Sequence, residues 1–281
     1  MKRISILSAL LLALFVLIPV RTSGQARLNT KKINIADFGA RTTKVVLGGS
    51  GMTDTALKEA VSAGWRISPF EFCSGEEYLQ LKDDPDQYFL LLARSDEAKY
   101  RGILTLTLMK GGKYGTDDTT NRPVDIASLP FRASEFPSGR EMVMLPALLD
   151  IIQDYASKAL VSDKAGYKGF DIYSRNGRRD GRRILFSEGD VDPSMLEVIS
   201  STKGVFVVEE DEADQAMYEG APGTMVSFVV APFSPEKGSR CYKMVIDTRS
   251  HELYYFSHHR IGAGKWAGFL KKDIRKVSAK H

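Results

Sequence analysis

The stretch Val45–Asp54 reads VVLGGSGMTD, in which apolar residues lead through a glycine-rich loop to residues that can begin a helix. A short apolar run that ends in glycine is typical of a buried strand. The side chain of Thr53 or Asp54 can accept hydrogen bonds from the free N–H groups of a first helical turn. The stretch therefore predicts a strand followed by a helix, the basic unit of an α/β protein.

A shift of 139 residues aligns this stretch, and the sequence after it, with a second segment of the chain without a gap. Lys44–Leu47 (KVVL) falls on Arg183–Phe186 (RILF), and Phe89 falls on Phe228. Few aligned residues are identical, so the order and spacing of the elements carry the comparison. We therefore predict an internal duplication.

Each segment predicts the order β-α-β-α-β-β, followed by a further helix. In the first half we expect strands at 44–47, about 65–68, 87–93 and 101–109, and helices at about 54–63, 74–81 and 141–160. In the second half we expect strands at 183–186, about 204–208, 224–231, 240–247 and 253–257, and helices at about 192–201, 212–219 and 265–277. The predicted fold class is α/β, with two similar units in tandem (27–165 and 166–281) whose mixed sheets are flanked by helices.

The segment 111–140 lies between the two predicted units and is rich in Thr, Ser, Pro and Gly. This composition predicts a long loop, and long loops inside compact domains are usually functional or mobile. We expect it to act as a lid if the protein binds a small ligand.

The N-terminus has the pattern of a secretory signal peptide. Lys2 and Arg3 precede the apolar run Ile4–Val20, and small or polar residues follow up to Ala26. Signal peptidase recognises this order of positive, apolar and small residues. We expect that residues 1–26 are cleaved off and that the mature protein is soluble, either in the periplasm or secreted. The alternative is that this segment stays uncleaved as a membrane anchor.

The charge of the mature chain argues against a nucleic-acid binder. The full chain carries a formal net charge of +4, and 1–26 contains three basic residues and no acidic ones, which leaves +1. Proteins that bind nucleic acid normally present a strongly basic domain or face.

The glycine-rich loop is the first candidate ligand site, formed by Gly48, Gly49, Ser50, Gly51 and Asp54. Backbone N–H groups between a strand and a helix can hold a phosphate. However, the loop matches neither G-x-G-x-x-G nor the Gly-Lys-Ser/Thr of a P-loop. A structural turn is the favoured interpretation.

A basic stretch, Arg175–Arg183, is the second candidate site. It predicts a hairpin tip at Asn-Gly or Asp-Gly, where Arg175, Arg178, Arg179 and Arg182 could bind an anionic partner. A solvated turn is the alternative.

The remaining chemistry-bearing residues are few. Cys73 and Cys241 are the two cysteines of the chain, and they could form a disulfide in an oxidising compartment. The four histidines, three of them at 251, 258 and 259, have no spacing that indicates a metal site. We expect no metal and no cofactor.

The predicted element order, at roughly 44–110 and 183–258, resembles two groups of periplasmic α/β domains. They are the N-terminal domain of the Tol-system propeller protein and the domains of curli-type secretion lipoproteins. Both are non-enzymatic parts of envelope assemblies, so the resemblance implies an envelope protein partner.

We therefore expect an exported, non-enzymatic binding or scaffold protein of the bacterial cell envelope, with at most peripheral membrane contact. The sequence does not indicate its oligomeric state. The alternative is a binder of a small-molecule or nucleotide-type ligand, or an enzyme, that uses the Gly48–Asp54 loop.

Overall fold

The computed structural model describes residues 32–49, 51–94, 100–115, 121–135, 137–175, 181–236, 238–262 and 264–278. The predicted signal peptide at 1–26 lies outside this part of the chain. In the part that is described, no helix is both long enough and apolar enough to cross a bilayer.

The first unit runs in the order β-α-β-α-β-β-β-α. Its elements are β1 (Thr43–Leu47), α1 (Gly51–Gly64), β2 (Phe70–Ser74), α2 (Gly75–Leu81), β3 (Tyr88–Arg94), β4 (Ile103–Lys110), β5 (Val124–Ala133) and α3 (Arg140–Val161). A short helix, α4 (Asp163–Lys168), and a 3-10 segment, Gly169–Arg175, follow it. The unit boundary predicted after residue 165 falls inside α4.

The second unit repeats that order. Its elements are β6 (Arg183–Ser187), α5 (Leu196–Ser200), β7 (Val205–Val208), α6 (Glu210–Tyr218), β8 (Thr224–Val230), β9 (Arg240–Asp247), β10 (Leu253–Arg260) and α7 (Lys271–Ser278).

The two sheets have the same topology. The first is ordered β2-β1-β3-β4-β5 and the second β7-β6-β8-β9-β10. In the first sheet β2, β1 and β3 are parallel, whereas β3–β4 and β4–β5 pair antiparallel. In the second sheet β7, β6 and β8 are parallel, whereas β8–β9 and β9–β10 pair antiparallel. The predicted fold class, α/β with two similar tandem units of mixed sheet flanked by helices, is confirmed.

The ungapped shift of 139 residues is wrong in its detail. The shift aligns Lys44 with Arg183 and Phe89 with Phe228. Lys44 pairs with Phe89 in the first sheet, but Arg183 pairs with Thr224 in the second. The third strands of the two units are therefore offset by several residues relative to the first strands. An insertion or deletion between the strands accounts for the weak sequence match.

The predicted strand at 65–68 is also wrong, because the second strand begins after Pro69. Proline has no N–H to donate to a strand ladder. Trp65 instead packs into the core at 7% exposure, and its indole N–H donates to Ser68 Oγ at 3.0 Å. The apolar residues of this stretch belong to a packed loop.

A third of the long loop predicted at 111–140 is the strand β5, which has 10 residues. Residues Val124–Phe131 are buried throughout, as expected of a strand that is covered on both faces. Pro130 lies at a register shift against β4, where a ladder hydrogen bond is not required. This part of the predicted loop is therefore an ordinary sheet strand, the counterpart of β10.

The predicted helix at 265–277 is shorter than expected and begins at Lys271. Gly268 has φ +135°, and a Cβ there would lie 2.7 Å from the carbonyl oxygen of Asp190. Only glycine lets the chain pass so close to the end of β6. Trp266, which falls inside the predicted helix, lies before its actual start and is 70% exposed.

Helix α3 lies at the centre of the molecule. It packs against α1 and β5 of its own unit and against α6 of the second unit. A helix that is apolar on nearly all sides is a buried one, and α3 belongs to a single hydrophobic core that includes residues of both sheets. Smaller clusters cover the outer face of each sheet, under α2 in the first unit and under α5 and α7 in the second.

Candidate functional site at the junction of the two units

The two units place equivalent loops at the carboxyl ends of their first strands. In each unit the first helix and the second helix pack on opposite faces of the sheet. Ligands of open α/β sheets bind in the crevice that forms at such a point. The crevice loops are Gly48–Asp54 in the first unit and Ser187–Asp190 in the second.

The crevice loop of the first unit is filled by its own aspartate. The backbone N–H of Gly48 donates to Asp54 Oδ1 at 3.0 Å, and that of Gly49 donates to Oδ2 at 2.9 Å. Gly49 has φ +80°, a conformation that favours glycine. The carboxylate therefore stands where a phosphate would have to bind. Gly51 begins α1, and Ser50 lies outside the described residues.

The crevice of the second unit is filled by a residue of the first. Arg140, the first residue of α3, is 6% exposed, and its Nη1 lies 3.2 Å from Asp190 Oδ2. Its Nε donates to Asp214 Oδ1 at 2.8 Å, and its Nη2 donates to the carbonyl oxygen of Ser227 at 2.9 Å. The guanidinium also lies over the ring of Phe228. A cation of one unit thus neutralises an acidic strand end of the other.

The electrostatics of this cluster follow from its burial. Burial alone would lower the pKa of Arg140, but Asp190 and Asp214 raise it above its usual value. Desolvation raises the pKa of Asp214, although Arg140 opposes that change. Glu210, whose Oε2 lies 3.8 Å from Arg140 Nη1, has its pKa raised by desolvation and by neighbouring acids.

A cavity of about 240 Å³ opens beside this cluster. We call it the junction cavity, because both units line it. The lining residues are Phe131, Arg132, Ala133, Ser138, Arg140, Glu141, Gly189, Asp190, Glu210, Phe228, Val229, Val230, Ala231 and Phe233.

Glu141 and Arg132, which line the junction cavity, form an ion pair with each other. Glu141 is 1% exposed; its Oε2 accepts from Ser138 Oγ at 2.8 Å and from the N–H of Gly139 at 3.0 Å. Its Oε1 has no hydrogen-bond partner among the described residues, and neither has Arg132 Nε, which lies 3.7 Å from it. Burial lowers the pKa of Arg132. Both atoms are closed to solvent, so Arg132 and Glu141 form a buried ion pair behind the cavity wall.

Most of the predicted basic tip lies outside the described residues, so this site stays a prediction. Arg178 and Arg179 lie outside the described residues, as does the side chain of Arg175. Arg182 is described, and its Nη1 lies 3.0 Å from Asp247 Oδ2 and 3.5 Å from Glu252 Oε2. The structure thus gives Arg182 an internal role, because its charge is held by two acids of the β9–β10 hairpin.

The possible disulfide is not formed. Cys73 lies on β2 and Cys241 on β9, in different sheets, and both are free and buried. Burial raises the pKa of Cys73 to about 11 and that of Cys241 to about 12, so both remain thiols.

Two of the histidines make structural contacts in the part of the chain that the structure describes. His251 Nδ1 lies 2.7 Å from Asp150 Oδ2, which joins the β9–β10 turn to α3, and His259 Nε2 lies 2.8 Å from the carbonyl oxygen of Trp266. Across the described residues, no group of three or more His, Cys, Asp or Glu side chains could hold a metal ion.

Sequence reasoning named the first crevice loop but missed the junction cavity. It placed Arg132 in a loop and expected Glu141 to begin a core helix, so neither was considered a site residue. The one available signal was the acidic loop Ser187–Asp190 at the position equivalent to the glycine loop. Acids at a strand end require a cation, and the cation proved to be Arg140.

No protein-family model, no curated protein and no solved structure matches this chain. The resemblance to envelope α/β domains therefore stays a prediction.

Proposed function

We propose that the chain is an exported, non-enzymatic binding protein that holds a small polar ligand in the junction cavity. The observation that carries this proposal is the cavity of about 240 Å³ that residues of both units line beside the Arg140 cluster. Clefts lined by apolar side chains with a few charged groups are the usual sites of small ligands.

Binding is favoured over chemistry because the strongest cation beside the cavity is already held. The guanidinium of Arg140 contacts Asp190, Asp214 and the carbonyl of Ser227. A group held by three acceptors positions its surroundings and has little capacity to attack or protonate a substrate.

The alternative ligand site, the Gly48–Asp54 loop, is less favoured. Asp54 already accepts hydrogen bonds from Gly48 and Gly49. A phosphate would have to displace this carboxylate and then bind next to its negative charge.

The exported location rests on the pattern of residues 1–26, and it is tested together with binding. The full chain is expressed with its own N-terminus in a bacterial host, and the purified protein is examined by native mass spectrometry. We expect a mature N-terminus after Ala26 or Gly24, and a small-molecule adduct on the protein.

The adduct should be lost in Glu141→Gln and kept in Glu59→Gln, a control at an exposed position of α1. An adduct that survives Glu141→Gln, or a wild-type protein that never carries one, contradicts the proposed site. A full-length N-terminus on a membrane-bound protein contradicts the predicted export.

A scaffold role in an envelope assembly is the second candidate. The edge strand β7 carries Phe206, which is 49% exposed, and Leu196 at the start of α5 is 46% exposed. Apolar edge strands are natural surfaces for pairing with another protein. In-cell cross-linking from position 206 should capture one reproducible envelope protein, and cross-links at background level would exclude this surface.

A further inference from the structure

Helix α7 covers the outer face of the second sheet and divides into a buried half and an exposed half. Its buried side chains include Asp273, Ile274 and Val277, each at most 1% exposed. Residues three and four positions apart share a face of a helix, so the remaining positions face solvent. The exposed side chains are all basic: Lys271, Lys272, Arg275 and Lys276.

The buried half of α7 is fixed to the sheet. Asp273 is the one acid of the helix, and its Oδ2 lies 2.5 Å from Nζ of Lys243 on β9, which is itself fully buried. Its Oδ1 accepts from the hydroxyl of Tyr255 on β10 at 2.7 Å. The acid is thus neutralised from below, and α7 can offer a partner only its basic half.

Two exposed apolar side chains lie on the same side of the sheet as α7. The carbonyl oxygen of Trp266 lies 2.8 Å from His259 Nε2, and His259 shares a face of β10 with Tyr255. Trp266 therefore lies on the side that α7 covers, with Lys265 exposed next to it. Leu196 at the start of α5, the helix that packs beside α7, is 46% exposed.

We call this surface the basic face. It consists of Leu196, Lys265, Trp266, Lys271, Lys272, Arg275 and Lys276. Among the described residues, none of its five basic side chains forms an ion pair or a hydrogen bond.

The basic face stays positive when its neighbours are counted. Segments 188–203 and 265–278 contain six basic residues, of which the sixth is Lys203. Of their acids, Asp190 and Asp273 are paired with Arg140 and Lys243, which leaves three positive charges in excess. The three remaining acids are Glu188, Asp192 and Glu197.

The rest of the molecule has the opposite sign. The chain after residue 26 carries a formal charge of +1, so its surface outside these segments is net acidic. A negatively charged surface would attract the basic face and repel the others. The charge distribution therefore selects one orientation.

The composition of the basic face favours a lipid surface over a protein. Four of its five basic residues are lysines, which are depleted in protein–protein interfaces. Lysines attract anionic lipids, and tryptophan is enriched at the headgroup level of bilayers. Basic residues combined with Trp and Leu are typical of surfaces that lie on a membrane.

We infer that the basic face binds the protein peripherally to an anionic lipid bilayer. The lysines and Arg275 contact headgroup phosphates, and Trp266 lies at the headgroup level. The inference goes beyond the proposed function, since no residue of the basic face lines the junction cavity.

The test is co-sedimentation of the processed protein, its N-terminus verified as above, with lipid vesicles. We expect binding to vesicles of equal parts phosphatidylglycerol and phosphatidylcholine, and none to pure phosphatidylcholine. Sodium chloride should weaken the binding, because it screens exposed charges. The emission of Trp266, obtained as the difference between wild type and Trp266→Phe, should shift to shorter wavelength on the anionic vesicles.

A double variant and a matched control locate the surface. Lys272→Gln/Lys276→Gln should lower the partition coefficient at least about tenfold, since each basic residue near an anionic membrane contributes roughly fivefold. Lys58→Gln/Lys113→Gln removes the same charge from exposed positions of the first unit and should bind as the wild type does. All four side chains are exposed, so both variants should keep the Tm of the wild type.

Three results would overturn the inference. They are no binding to the phosphatidylglycerol vesicles at low salt, equal binding by the two double variants, and unchanged Trp266 emission on vesicles that do bind. If poly-L-glutamate binds the protein through Lys272 and Lys276 while the anionic vesicles do not, the occupant is an acidic protein and the lipid assignment is wrong.

Discussion

Arg140 at the start of α3 lies against Asp190 in the loop that follows β6, with Nη1 3.2 Å from Oδ2. The central helix of the first unit is therefore anchored to the second unit. Both side chains are almost fully buried. A buried pair is costly to break, because removal of one partner leaves the other charge without compensation.

Arg140→Ala is therefore expected to lower the free energy of unfolding by about 3–5 kcal/mol. The carboxylates of Asp190 and Asp214 would stay buried without their cation. Urea unfolding measures the change. Arg101→Ala is the control, because Arg101 is exposed and its ion pair with Glu236 spans 3.6 Å; it should change stability by less than about 1 kcal/mol. Equal effects of the two changes would show that the Arg140 cluster is not a structural anchor.

The sequence was sufficient for those elements whose signals are local. The helix predicted from residue 192 begins there, where the Asp192 side chain accepts from the N–H of Ser194 at 2.8 Å. Likewise, the strands predicted at 87–93 and 101–109, and at 224–231 and 240–247, pair as β3–β4 and β8–β9. Such patterns involve residues a few positions apart, so they are visible in one chain.

The sequence failed where distant residues decide the structure. Residues 124–131 resembled a loop because of their composition, and only pairing with β4 makes them a strand. Similarly, Arg140 and Asp190 are 50 residues apart and show no local pattern. The junction cavity depends on how the two sheets pack, so no motif could have indicated Arg132 and Glu141 as neighbours.

The crevice loop of the first unit makes a second prediction. Asp54→Ala should lower the free energy of unfolding by about 1 kcal/mol, since two backbone N–H groups lose their acceptor. Sulfate should then stabilise this variant more than it stabilises the wild type, because N–H groups at a helix start bind anions. Thermal unfolding with and without sulfate measures this. Equal stabilisation of both proteins would mean that sulfate acts only through its general effect on stability and that the loop binds no anion even without the carboxylate.

Glu210 should respond to pH in a defined direction. Desolvation raises the folded-state pKa of Glu210 above its unfolded value, so its charge destabilises the fold at neutral pH and has no effect below about pH 4, where both states are protonated. Glu210→Gln should therefore have a higher Tm than the wild type at pH 7, with a difference that disappears near pH 3. A lower Tm at pH 7 would contradict this assignment.

Asp150 should show the opposite behaviour. Burial would raise its pKa, but hydrogen bonds from His251 and Arg66 lower it below the usual value. Its contribution to stability is then complete above the unfolded pKa of about 3.9 and is lost as the pH falls through the lower folded pKa. Asp150→Asn should flatten the loss of stability between pH 5 and 2, measured by urea unfolding. Asp83→Asn, an exposed position, should leave the acid profile unchanged.

The shared core predicts that the two units unfold together. Trp65 lies in the first unit and Phe228 in the second, yet both belong to one hydrophobic cluster. Trp266→Phe leaves Trp65 as the one tryptophan of the chain, so its fluorescence reports on the first unit. In that background Phe228→Ala should destabilise the protein by about 3–5 kcal/mol. The Trp65 transition should shift by the same amount as the far-UV circular dichroism of the whole chain. If Trp65 instead unfolds at an unchanged urea concentration, the units are independent domains and the junction cavity cannot be part of a rigid site.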